Sequence, residues 1–381
     1  MALNVMRARG DGKGPVRRRR AAELLPVMRR SIGKIVRILV ALCLTTLTSQ
    51  VSAQTKGATE TEGRQVLQEE LTASGPAGAL KGTLTLPDDG ETLRGNTPAF
   101  LIVPGSGPTD RDGNSPLGIA AAPYKLLAEA LASRGFPSLR IDKRGMFGSK
   151  DAVSNPNDVT IDRYGDDLVA WASAIQARLP AGTGARCIIP IGHSEGGLVA
   201  LAAVGRLPNA CGIILIASIG RPMDQVISEQ LRANPANAPF LAEAEAALAT
   251  LKQGERVDQS TLSPALLPLF ATEVQGFLVD TMSYDPVELA ATTQVPMLIV
   301  QGLRDIQVTQ KDARMLAAAA PKAQLALIPD VNHALKVVET DELSANLSTY
   351  ANPALPISSA VVEVIERFTA EVMGRQAKEI D

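Results

Sequence analysis

Residues Cys187 to Val204 read CIIPIGHSEGGLVALAAV. An apolar run stops at Gly192-His193-Ser194-Glu195-Gly196-Gly197, and a second apolar run with helical spacing starts at once. A short apolar run ended by glycine predicts a buried strand, and the spacing after it predicts a helix. Ser194 then falls in a sharp strand-to-helix turn. Glycine at 192 and 196 suits a turn so tight that side chains there would collide. Such a turn lifts the Ser194 hydroxyl out at the carboxyl end of a sheet, where open α/β sheets bind ligands. The helix that starts there aims backbone N–H groups at the same spot.

The same alternation continues on both sides of this stretch. Val66 to Thr72 and Ala79 to Leu86 predict an antiparallel pair turning at Ser74-Gly75-Pro76. Pro98 to Val103, Pro137 to Ile141, Gly212 to Ala217, Pro296 to Val300 and Ala323 to Ile328 read as further apolar strands. Helical patterns cover Tyr124 to Ser133, closed by Gly135, then Tyr164 to Leu179, Gly196 to Leu207, Gln310 to Ala320 and Ile357 to Val372. Continuous apolar strands alternating with helices predict an α/β fold, a mostly parallel sheet flanked by helices. Between Gly220 and Gln294 the alternation breaks into Ala/Leu-rich stretches such as Met223 to Leu231 and Leu241 to Leu251. This predicts a helical lid insertion over one end of the sheet. No internal repeat is visible.

A serine hydroxyl is a weak nucleophile without a base. Beyond residue 53 the only histidines are His193 and His333. His193 sits inside the turn, where its side chain points away from the hydroxyl and suits packing or loop orientation. His333 lies in PDVNHA (329–334), directly after the last apolar strand, and is the expected base. Its orienting carboxylate is expected to be Asp305, in VQGLRDIQV (300–308) just past the preceding strand, with Asp330 as the rival. The order Ser194, Asp305, His333 is the chain order of triads built on such a turn. An oxyanion needs donors as well. The Glu195 N–H is one; the other should come from PGSGPTDRDG (104–113), from Ser106 or alternatively Gly107. Asp110, Arg111, Asp112, Asp142 and Arg144 carry opposite charges on neighbouring loops, as a scaffold for the oxyanion loop or as substrate contacts. The Glu195 side chain suits a helix start, and could instead grip an ammonium group. Trp171 reads as core. Met223 and Met282 read as packing between insertion and core, or as an acyl-pocket lining.

The stretches VPGSGPTDRDG, RIDKRGMFGS, IGHSEGG, GRPMDQVISEQL, QGLRDIQV and DVNHALK together resemble the bacterial esterase D-like, serine-aminopeptidase-like branch of the serine α/β-hydrolases. The resemblance covers most of residues 64–372. It implies the α/β-hydrolase fold, a carboxylesterase with a helical lid, a small-molecule ester substrate and no cofactor. Ser194, Asp305 and His333 match the family's catalytic positions one by one. Pro104-Gly105 departs from the His-Gly of many wider relatives, at the place that supplies the second oxyanion donor. The expected reaction passes through an acyl-enzyme, and activity falls as His333 takes up a proton near or below pH 7. Two readings compete: an aminopeptidase on the same triad, which needs an insertion carboxylate for the amino group, and a non-catalytic binding protein on a hydrolase scaffold. One catalytic and one elbow histidine leave no metal cluster on usual ligand rules.

Residues 1–53 differ in kind. They hold eleven of the 38 basic residues and two of the 40 acidic ones, then an apolar stretch, Ile38 to Leu47, then Val51-Ser52-Ala53. That order predicts a secretory signal, long enough for Met28 to be its start, and hence a periplasmic or extracellular protein. The apolar stretch is too short to span a bilayer, so no stable membrane span is expected after cleavage. The remainder carries 27 basic and 38 acidic side chains, net −11, which disfavours nucleic-acid binding. Cys187 and Cys211 begin two strands expected to be neighbours, and export permits oxidation, so a Cys187–Cys211 disulfide is expected. The expected organisation is a signal (1–53), a linker (54–63), the core (64–219), the lid insertion (220–294), the core resumed (295–373) and a tail (374–381).

Overall fold

The computed structural model describes residues 66–87, 97–179 and 187–380. The expected signal and linker lie outside the described residues. Eight strands form one sheet in the order β1-β2-β4-β3-β5-β6-β7-β8. They are β1 (Val66–Ser74), β2 (Ala79–Pro87), β3 (Ala99–Val103), β4 (Ser138–Ile141), β5 (Ile188–His193), β6 (Ile213–Ile216), β7 (Met297–Gly302) and β8 (Gln324–Ile328). The β1–β2 and β2–β4 pairs are antiparallel, and every later pair is parallel.

Successive side chains of a strand point to opposite faces. Leu101 and Val103 join one apolar cluster, while Phe100, Ile102, Ile189 and Ile191 join another on the opposite face. The first face is covered by α2 (Ile161–Arg178) and α3 (Glu195–Ala203), the second by α1 (Pro123–Ser133) and α10 (Ser359–Ile380). A strand covered on both faces has no use for polar alternation, which is why these strands read as unbroken apolar runs.

β3 lies between β4 and β5, so the chain leaves β3 to one side and returns on the other. The chain therefore leaves β3 and β5 toward opposite faces of the sheet, the kind of reversal at which open α/β sheets bind ligands. The loops after β7 and β8 end at the same edge of this parallel sheet.

Between β6 and β7 run four helices: α4 (Met223–Ala233), α5 (Leu241–Lys252), α6 (Thr272–Met282) and α7 (Pro286–Thr292). Only the first two follow from apolar spacing. The root of this segment is a buried ion pair. Arg221 Nη2 lies 2.8 Å from Asp312 Oδ2, and Gly220 N–H donates to Asp312 Oδ1 at 3.0 Å, tying it to α8 (Gln310–Ala319). Its far side is sewn down by Ile161 N–H donating to Asp280 Oδ2 at 2.7 Å and Gly276 N–H donating to Asn157 Oδ1 at 3.1 Å.

Two helices depart from the sequence expectation. α9 (Leu343–Thr349) has no apolar stripe, because its buried positions are polar: Asn346 and Thr349 both take hydrogen bonds from Asn332. α10 runs to Ile380 rather than ending at Val372, so residues 374–380 continue the helix. No helix among the described residues is long and apolar enough to cross a membrane.

Candidate active site

β5 ends at His193 and α3 begins at Glu195, so the turn between them is a single residue, Ser194. Its backbone is at φ 56° and ψ −123°. A non-glycine residue at positive φ costs about 1–3 kcal/mol and persists only where its surroundings enforce it. The enforcement is visible. A Cβ on Gly192 would strike the Gly196 carbonyl, and one on Gly196 would strike the carbonyl oxygens of Val103 and Pro104. The turn is thus pressed against the end of β3 and cannot relax. Gly192, His193, Glu195 and Gly196 are buried, while Ser194 is half-buried.

His193 is not placed to act on Ser194. Gly105 N–H donates to Tyr124 Oη at 3.0 Å, which directs the Tyr124 proton to His193 Nδ1 at 2.9 Å. Nδ1 is then the acceptor, and Nε2–H donates to the His333 carbonyl at 2.9 Å. Burial holds His193 well below its ordinary 6.5, with His333 adding to the shift, so the ring stays neutral as this network requires. His193 is a strut between the loop after β3, the elbow and the His333 loop.

His333 Nδ1 donates to Asp305 Oδ2 at 2.8 Å, which leaves Nε2 as the acceptor. The Asp305 side chain has no exposed surface; its Oδ1 accepts the N–H groups of Gln307 (2.8 Å) and Val308 (2.9 Å). Asp330, the sequence rival, is exposed and contributes its carbonyl to Val338 instead. His333 and His193 rings lie 4.5 Å apart, which brings His333 beside the elbow. Among the described residues no hydrogen bond joins Ser194 Oγ to His333; the link runs through His193.

The loop after β3 passes directly over the elbow. A Cβ on Gly105 would stand 3.1 Å from Ser194 Cβ. The Gly105 N–H is already spent on Tyr124, whereas Ser106 and Gly107 are exposed beside it. The Glu195 N–H is the first of α3 and has no partner within the helix. The Glu195 side chain, however, faces the core. It is 4% exposed, with Lys143 Nζ 3.6 Å from its Oε1, an ion-pair distance longer than a hydrogen bond. Burial pushes the Glu195 carboxyl up and the Lys143 amine down, each opposed by the other's charge. A carboxylate so placed cannot grip a substrate ammonium group.

The charged loops form a scaffold. Arg111 donates to both Asp142 carboxylate oxygens and to Glu70, Arg140 pairs with Asp112, and Asp110 accepts the N–H groups of Asp112 and Asn114. Arg144 does not join them; it reaches Asp167 on α2, 2.6 Å away. Trp171 on α2, Met223 on α4 and Met282 on α6 are all buried in one core cluster. Cys187 and Cys211 are bonded to each other, their Cα atoms 5.4 Å apart at the amino ends of β5 and β6. Sequence reasoning missed Tyr124 and Lys143. The only signals were a tyrosine opening a helix and a lysine amid the charges of IDKRG (141–145), and neither reveals a contact to the backbone of Gly105.

A family model for alpha/beta hydrolases matches residues 100–343. Esterase EstD of Thermotoga maritima is 26% identical over 271 residues, spanning 70% of this chain and 59% of that protein. The chain thus spans less than two thirds of the curated relative it matches. Among solved structures, the alpha/beta hydrolase GrgF from Penicillium sp. sh18 superposes with a TM-score of 0.50 at 16% identity, over 81% of this chain and 99% of that one. Est1E from Butyrivibrio proteoclasticus gives 0.47 at 15% identity, over 79% and 99%.

Proposed function

The chain belongs to the alpha/beta hydrolase family, and from that premise we propose that it is an exported serine hydrolase that cleaves carboxylic esters through Ser194, His333 and Asp305. The observation that carries the reading is the His333–Asp305 hydrogen bond of 2.8 Å beside a serine held in a strained elbow. The name of the Thermotoga relative supports an ester substrate.

In the proposed reaction, His333 Nε2 takes the proton as Ser194 Oγ attacks the ester carbonyl. The resting gap between Ser194 and His333 closes when substrate binds, as catalytic hydrogen bonds commonly do. The Glu195 and Ser106 N–H groups hold the oxyanion. The alcohol leaves with the proton from His333, and water repeats the sequence to free the acid. Asp305 keeps His333 in the tautomer that leaves Nε2 free, and stabilises its cation. Helices α4–α7 act as the lid; Gln230 on α4 donates to the Gln307 carbonyl at 3.0 Å, beside the Asp305 loop.

The test follows nitrophenol release from acetyl, butyryl and octanoyl esters, with an alanyl anilide as the peptidase control. Turnover of esters that falls about 10⁴-fold or more in Ser194→Ala is expected. Cleavage of the anilide alone overturns the ester reading. The order of charge and hydropathy in residues 1–53 supports export. The protein recovered outside the cytoplasm should begin at Gln54; an unprocessed, cytoplasmic chain overturns export.

A further inference from the structure

The backbone at Gly105 is held from two sides by buried groups that the proposed reaction does not itself use. Its N–H is bound by Tyr124, and its carbonyl accepts from Lys143 Nζ at 2.6 Å. Lys143 is 5% exposed and sits 5.8 Å from the centroid of the Tyr164 ring, on the core side of the loop. No peptide bond among the described residues is cis. In a trans unit the N–H of Ser106 points opposite to the carbonyl of Gly105. With that carbonyl drawn into the core, the Ser106 N–H faces the other way, toward the side on which Ser106 is exposed and Ser194 half-buried. Glycine at 105 leaves this peptide loosely restrained on one side unless something grips it.

We infer that Lys143 is a positioning residue for ester hydrolysis. From beneath the loop it holds the Gly105 carbonyl and so aims the Ser106 N–H at the oxyanion. It also ties that loop to Glu195, whose own N–H is the other donor. Ser106 rather than Gly107 is then the second donor. The inference rests on the esterase reading above.

The variant Lys143→Met/Glu195→Gln removes both charges and leaves neither buried alone. Its kcat for the butyryl ester should fall about 10²-fold with KM within about twofold. Its affinity for butylboronic acid, whose tetrahedral adduct on Ser194 places an oxygen at the oxyanion position, should weaken in the same proportion. A folded variant with kcat within about threefold of wild type, or one changed in KM alone, overturns the inference. Should the variant not fold, ¹⁵N-labelled wild type decides. The boronate must move the Ser106 amide resonance downfield, and an unmoved Ser106 amide overturns the inference. A wild type that cleaves no ester and is not labelled at Ser194 by a fluorophosphonate overturns the esterase reading and this inference with it. An active wild type beside an unimpaired variant overturns the inference alone.

Discussion

Ser194 holds a conformation, φ 56°, that an L-residue adopts only under compulsion. The hydroxyl is therefore exposed at a cost to folding. Ser194→Gly should stabilise the protein by about 1 kcal/mol while abolishing ester turnover. Urea unfolding of both proteins measures the difference, and a Gly variant no more stable than wild type means that the turn is not strained. Ser194, Asp305 and His333 were each legible because each directly follows an apolar strand, and strand ends can be read from composition. Tyr124 and Lys143 were not, because their partners are backbone atoms of Gly105, 19 and 38 positions away. Backbone atoms carry no identity in a sequence.

Elements are legible where one face is apolar and obscure where burial is polar. The strands and the helices α1–α5, α8 and the start of α10 follow from spacing, since each covers a face of the sheet or packs within the insertion. Helix α9 escapes because Asn346 and Thr349 hold it in place through Asn332. Helix α6 mixes the two, burying Leu278 and Met282 in the core beside the polar Gln275 and Thr281, while Asp280 and Gly276 tie it to residues 161 and 157. Strands β5 and β6 are joined at their amino ends by the Cys187–Cys211 bond, which closes a loop of 24 positions. On the chain-entropy account, such a loop contributes roughly 3 kcal/mol or somewhat more. Denatured, unreduced protein should therefore show neither thiol reactive, and reduction should lower the urea midpoint. Two titratable thiols at 187 and 211 without reductant would remove the disulfide from this account.

For the whole molecule, the neutral His193 at the centre of the site makes folding depend on pH. Its folded value lies well below the ordinary 6.5, because the ring is buried and His333 stands beside it. Below pH 6.5 the unfolded chain binds a proton that the folded chain refuses. This contribution to stability is therefore full above about 6.5 and declines as pH falls, at up to about 1.4 kcal/mol per pH unit. Unfolding free energies at pH 7 and pH 5.5 should fall less steeply in His193→Gln than in wild type; equal slopes would show that His193 titrates normally. By itself the sequence determined the alternation of strands and helices, the elbow at Ser194, the strand ends at which Asp305 and His333 lie, and a net charge of −11 over residues 54–381. Those features follow from local spacing, strand ends and charge, which act over a few residues or sum over all. Only the tertiary structure decided that Asp305 rather than Asp330 holds His333, that Glu195 turns inward to Lys143, that Arg144 leaves the loop scaffold for α2, and that His193 is a strut. Each is a choice between partners equally available in sequence, and what decides it is which groups the packed sheet brings within hydrogen-bond distance and shields from water.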